Sequence, residues 1–101
     1  MEKSVENLGN ARKAAETLAA KAFSWVADDV DRLNAFMAMT GAAPADLVRN
    51  VASAAFLGTV LDYVLTEDRL VIEFCDSCGL TYTAPMQART CLPGGESWNW
   101  T

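Results

Sequence analysis

An all-α fold, a compact bundle of five to six helices with two of them short, follows from three observations on this 101-residue chain. Apolar residues recur at three-to-four spacing along most of its length, the period of a helix buried on one face. Glycines and prolines punctuate that pattern where helices stop and start: Gly41, Gly79 and Gly94-Gly95 at ends, Pro44 and Pro85 at beginnings. Apolar residues make up 51% of the chain, enough for one modest core at this length.

Residues 1–10 are polar, contain Gly9 and two asparagines, and read as a flexible lead-in. A single helical domain is predicted over residues 11–92. Its first helix carries Ala11, Ala15, Leu18, Ala22, Trp25 and Val26 on one stripe, and alanines there suit close approach to another helix. Asp28, Asp29 and Asp31 follow. Carboxylates at a helix start satisfy free N–H groups and complement the dipole, so they read as caps of a second helix rather than metal ligands. That helix runs from Val30 to about Thr40, turns Leu33, Phe36 and Met37 inward with Met39 beside them, and ends at Gly41.

Pro44 opens a short third helix with a narrow face of Leu47, Val48 and Val51. Ser53 caps the fourth. Its stripe of Phe56, Leu57, Val60, Leu61, Val64 and Leu65 is broad, which makes it the central helix. Gly58 costs it about 1 kcal/mol relative to alanine, and a tight helix crossing is a reason to keep it. Thr66, Glu67 and Asp68 break the stripe and cap a fifth helix bearing Leu70, Val71, Phe74, Cys75 and Cys78, stopped by Gly79. Ala84-Pro85 opens a last short helix with Met86 and Leu92 inward. Residues 93–101 form a tail containing Trp98 and Trp100.

The chain also echoes itself. Asp31-Arg32-Leu33 recurs as Asp68-Arg69-Leu70, Phe36 with Gly41 as Phe74 with Gly79, and Ala43-Pro44 as Ala84-Pro85. Two pseudo-repeated helical units explain the shared order, with coincidence and common capping chemistry as the competing explanation.

Composition narrows function by exclusion. A net charge of −5 disfavours nucleic acid and anionic membrane surfaces, and there is no histidine to serve as general base or metal ligand. The longest charge-free apolar run, Val51 to Leu61, is too short to span a bilayer, and the first residues lack the apolar core of a signal peptide. A cytoplasmic protein without a cofactor is expected. No catalytic constellation emerges, so a non-enzymatic interaction or adaptor module leads, its partner another protein or a second copy. The candidate contact residues are Tyr82, in the turn after Gly79, and Trp98 and Trp100 in the tail, since aromatics are favoured at interface hot spots. The tail has two readings, folding back over apolar surface or docking to a partner.

Two alternatives compete. Cys75-Asp76-Ser77-Cys78 has the spacing of a thiol-redox or zinc pair. Its place in the last turn of a helix, at the negative end of the dipole, disfavours the thiolate, and both cysteines read as small core residues. A small DNA-binding regulator is the other, with Arg49 and Asn50, or Gln87 and Arg89, as groove-reading pairs.

Several stretches together carry a likeness: Phe56-Leu57, Val60 to Leu65, Phe74-Cys75-Asp76, Gly79-Leu80, Tyr82 to Met86, Leu92 to Gly95 and the closing Trp100-Thr101. From about Ala11 onward the chain resembles a family of small alphaproteobacterial proteins that form a domain of unknown function. The resemblance implies a small all-helical cytoplasmic protein and brings no activity, cofactor or site residue with it.

Overall fold

The structure, a computed structural model, describes residues 2–50 and 53–93, with side chains described at all of these except 2–9 and 48. Six helices and no strand lie among the described residues: α1 (Glu2–Ala27), α2 (Val30–Thr40), α3 (Pro44–Asn50), α4 (Ala54–Val64), α5 (Asp68–Cys78) and α6 (Ala84–Thr90). The 26 residues of α1 make a rod of about 39 Å at 1.5 Å per residue, which sets the long dimension of a 45 × 28 × 26 Å molecule.

α1 begins at Glu2, where the sequence suggests a flexible lead-in through residue 10. Gly9 and Asn10 are weak helix formers, but the cost of about 1 kcal/mol for one glycine does not end a helix whose other residues propagate it. The side of α1 that enters the core is Ala15, Ala19, Ala22 and Val26, all 3% exposed or less. Ala11 is exposed, and Leu18 and Trp25 are half-buried at the edge of that face. The small side chains let α4 and α6 approach closely, and α1, α4 and α6 pack against one another as the centre of the fold.

α4 is the most buried helix, with Leu57, Gly58, Val60, Leu61, Tyr63 and Val64 all inside. Ser53 caps it as expected, its Oγ accepting from the Phe56 N–H at 3.3 Å. Thr66 does not cap α5. Its hydroxyl donates to the Tyr63 carbonyl at 2.6 Å and closes the end of α4 instead. Asp29 caps α2 through a bond from the Arg32 N–H to Oδ1 at 3.0 Å. Both Gly41 and Gly79 adopt the left-handed conformation, at φ 74° and 68°. At Gly79 the Leu80 N–H then reaches the Cys75 carbonyl at 2.9 Å, the six-to-one bond of a Schellman cap.

The echo in sequence has a counterpart in structure. α2 and α5 each hold 11 residues, carry a phenylalanine at their seventh position that is 0% exposed, and end in a left-handed glycine. Each is followed by a helix of 7 residues. The arginines diverge. Arg32 lies 4.0 Å over the Trp25 ring and donates twice to the Trp25 carbonyl, fastening the α1–α2 turn. Arg69 stays exposed between Glu67 and Glu73.

An aromatic cluster joins three helices. Phe36 meets Phe23, Phe56 and Tyr63 edge-on at centroid distances of 6.4, 5.8 and 5.8 Å. Trp25 packs on Phe74 at 5.6 Å and links α1 to α5. Two methionines expected inside lie outside: Met39 is 46% and Met86 40% exposed. In α6 the inward positions are Pro85, Ala88 and Arg89, one step off the face on which Met86 was placed. Val48 and Val51 fall outside the residues whose side chains are described.

Arg89 is the unexpected core residue. It is 6% exposed, and its Nε and Nη2 grip the Asp62 carboxylate at 2.6 and 3.2 Å. Its Nη1 donates to the Pro93 carbonyl at 2.8 Å. Gly58 makes the space. A methyl group there would stand 2.7 Å from Nη1 and 3.3 Å from the Pro93 oxygen. Gly58 is therefore kept for a side chain lying across it, not for the backbone of a crossing helix. Gly58→Ala is expected to destabilise the protein despite the better helix propensity of alanine, by about 1–3 kcal/mol as an overpacked site does. In an Arg89→Ala background the same change is expected to be neutral or stabilising. Urea unfolding of the four proteins checks that reversal of sign.

Candidate functional site

Tyr82 sits where the sequence reading puts it, in the turn between α5 and α6, and is 53% exposed. The turn is built from both sides. The Cys75 thiol, in the last buried turn of α5, donates to the Thr81 carbonyl at 3.3 Å. The Tyr82 hydroxyl donates to Asp76 Oδ1 at 2.8 Å. That bond, ahead of smaller effects, pushes the Tyr82 phenol above its ordinary value, because it favours the protonated form. The ring is thus held in one place while one face stays open. Met86, four residues on, is a second exposed apolar side chain. Trp98 and Trp100, the other candidate contact residues, lie outside the described residues.

The cysteines separate. Cys75 is 0% exposed, and burial first, then the charge of Asp76 and the nearness of Cys78, push its thiol upward from the ordinary value. Cys78 is exposed, correcting the expectation that both are core residues. Three residues on a helix advance the chain by about 300°, which leaves Cys78 at an angle between Phe74 and Cys75. It is exposed because it is the last residue of α5 and lines an open hollow with Ser24, Trp25 and Asp28. Cys91 is half-buried, and no group of three or more cysteine or carboxylate ligands is gathered among the described residues.

A charged hollow of about 260 Å³ opens between the start of α2 and α5, lined by Asp29, Arg32, Tyr63, Arg69 and Glu73. Its charges answer one another: Arg32 with Asp29 at 3.9 Å, Arg69 with Glu73 at 3.5 Å. Burial above all, with Glu67 nearby, raises the Tyr63 phenol. Asp31 also lines the hollow, exposed and without an ion pair to a described residue. The groove-reading pair on α6 is likewise dismantled, since Arg89 is spent inside the fold while Gln87 alone is exposed. On α3, Arg49 and Asn50 are both exposed.

A second surface feature lies along α1. Three adjoining hollows follow one side of α1, with volumes of about 220, 500 and 430 Å³. They share lining residues: Ala14 and Leu18 belong to the first two, Lys21 to the last two. Together they form a furrow from Asn10 to Asp28, about 27 Å of helix, whose opposite wall is supplied by Cys78, Leu80 and α6. The i, i+4 ridge of Lys13, Thr17 and Lys21 on α1 marks it in the sequence once the partner wall is known.

The chain belongs to the family described as "Protein of unknown function (DUF3572)", whose model matches residues 12–95. The matched span takes in the five helices after α1 and most of α1 itself. Comparison with curated proteins and with solved structures gave no match.

The thiols make a direct check on this geometry. In native buffer Cys78 is expected to react first with a thiol reagent, and Cys75 last, because its sulfur is buried, hydrogen-bonded and of raised pKa. Labelling followed by peptide mass analysis gives the order. Rapid stoichiometric labelling of Cys75 would contradict the packing of the α5–α6 turn.

Proposed function

We propose that this chain is a non-enzymatic protein-interaction module of an alphaproteobacterial cytoplasm, binding another protein or a second copy of itself. The observation that supports the reading best is the Tyr82 turn. An aromatic ring, half exposed, is tethered through its hydroxyl to Asp76, and Met86 four residues on is also exposed. A side chain already ordered loses little entropy on contact, and tyrosine is a favoured anchor at interface centres. The polar groups of the described residues point the same way. No buried side-chain nitrogen or oxygen among them lacks a hydrogen-bond partner, and the arginines of α2, α5 and α6 serve turns and ion pairs. The surface that remains offers contact rather than chemistry.

Affinity purification from the native host at native expression level tests this. The full chain is expected to bring down a partner in stoichiometric amount, or to run as a dimer. Tyr82→Ala is expected to weaken that association several-fold without loss of helix content, as exposed side chains carry little stability. A parallel chain lacking residues 94–101 shows whether Trp98 and Trp100 share in it. Recovery of a monomer with no stoichiometric partner in every form would count against an interaction module.

A further inference from the structure

We infer that the furrow along α1 is a docking groove for an acidic amphipathic helix of a partner protein. The inference rests on the interaction reading and assigns it a second surface, distinct from the Tyr82 turn. The floor of the central part is apolar, made by Ala14, Leu18 and Leu80. Lys13 and Lys21 stand on its rim, both exposed. Neither lysine takes part in an ion pair with a described residue, whereas Arg12, Arg32, Arg69 and Arg89 all do. In a chain of net charge −5, two cations with no ion pair to a described residue are thus set over an apolar depression.

The ligand chemistry follows from the spacing. Lys13 and Lys21 are eight residues apart on α1, about 12 Å along its axis. A helix lying along the furrow matches them with two carboxylates about eight residues apart, and an apolar face between. The length of about 27 Å receives roughly five turns of such a helix. A polyanion such as nucleic acid carries more charge than these two lysines answer, and Asp28 at the far end of the groove confines anionic contact to the Lys13–Lys21 stretch. An apolar floor also serves a peptide better than a phosphate backbone.

The experiment uses the full chain, isotope-labelled, with a synthetic 18-residue helical peptide as probe. One face of the peptide is leucine and alanine, with glutamates flanking it. A control peptide carries lysine at every glutamate position. The acidic peptide is expected to shift backbone amides from Lys13 to Lys21 and from Leu80 to Ala88. Lys13→Glu with Lys21→Glu is expected to weaken it about tenfold or more, since two ion pairs of up to about 1 kcal/mol each become repulsions. Raised salt is expected to act in the same direction. Both lysines are exposed, so the double variant is expected to keep its circular dichroism spectrum. Absence of shifts, equal binding of the lysine peptide, or unchanged affinity in the double variant overturns the inference. So does displacement of the acidic helix by a peptide of residues 94–101, which assigns the furrow to the chain's own end. Self-association that shifts the same amides without peptide assigns it to a second copy and also overturns it. If a purified partner stays bound to the double variant, the furrow assignment falls while the interaction reading stands.

Discussion

Arg89 and Asp62, 27 residues apart, meet across the bare backbone of Gly58, and the placement of the last helix depends on that meeting. α6 has 7 residues, too few to be stable on local bonds alone. Pro85 and Ala88, with Leu92 just beyond its end, give it a small apolar face. The guanidinium supplies what that face does not. Two nitrogens hold the carboxylate of α4 and the third holds the carbonyl of Pro93, so one side chain fixes the helix and the direction in which the chain leaves it. A buried charge is tolerated only when so engaged, and losing either partner strands the other. Asp62 is 30% exposed, which puts the cost of stranding it at the lower end, about 3 kcal/mol. α6 supplies part of the far wall of the α1 furrow, through Ala84, Gln87 and Ala88, so that wall inherits its geometry from this pair.

The helices themselves were legible because their signals are local. Ser53 and Asp29 cap where they stand, Gly41 and Gly79 take the left-handed conformation that ends a helix, and the stripe of α4 is buried along its length. What was misjudged depends on which neighbour a face meets. Cys78 has the spacing of a core residue but stands at the open end of α5, and Met86 falls just off the narrow buried face of α6. Thr66 follows α4 and precedes α5, and only the coordinates show that its hydroxyl serves the former. The ion pair is non-local, yet it left a trace: a glycine in an apolar helix with an aspartate four residues on, a gap above a carboxylate on one face. Tyr82 could be named from the sequence as an aromatic in a turn. The furrow could not, because one wall is α1 and the other is formed some 60 residues later in the chain.

The same division explains why function is harder to read than fold. Helix caps, an internal ion pair and an aromatic cluster use up most of the polar and aromatic side chains that a sequence reader would assign to chemistry. The CxxC spacing ends in one buried thiol and one exposed one. The chain belongs to a family defined by sequence and not by activity. Its surface carries a hydrogen-bonded tyrosine and a lysine-rimmed apolar groove.

Arg89 and Asp62 act as a unit that sets α6 in place. A double-mutant cycle of Asp62→Ala and Arg89→Ala, measured by urea unfolding, tests it most directly. The account predicts a coupling energy of about 1.5 kcal/mol or more, well above the value of up to about 1 kcal/mol for an exposed pair. Additive single changes, with coupling below about 0.5 kcal/mol, would contradict it.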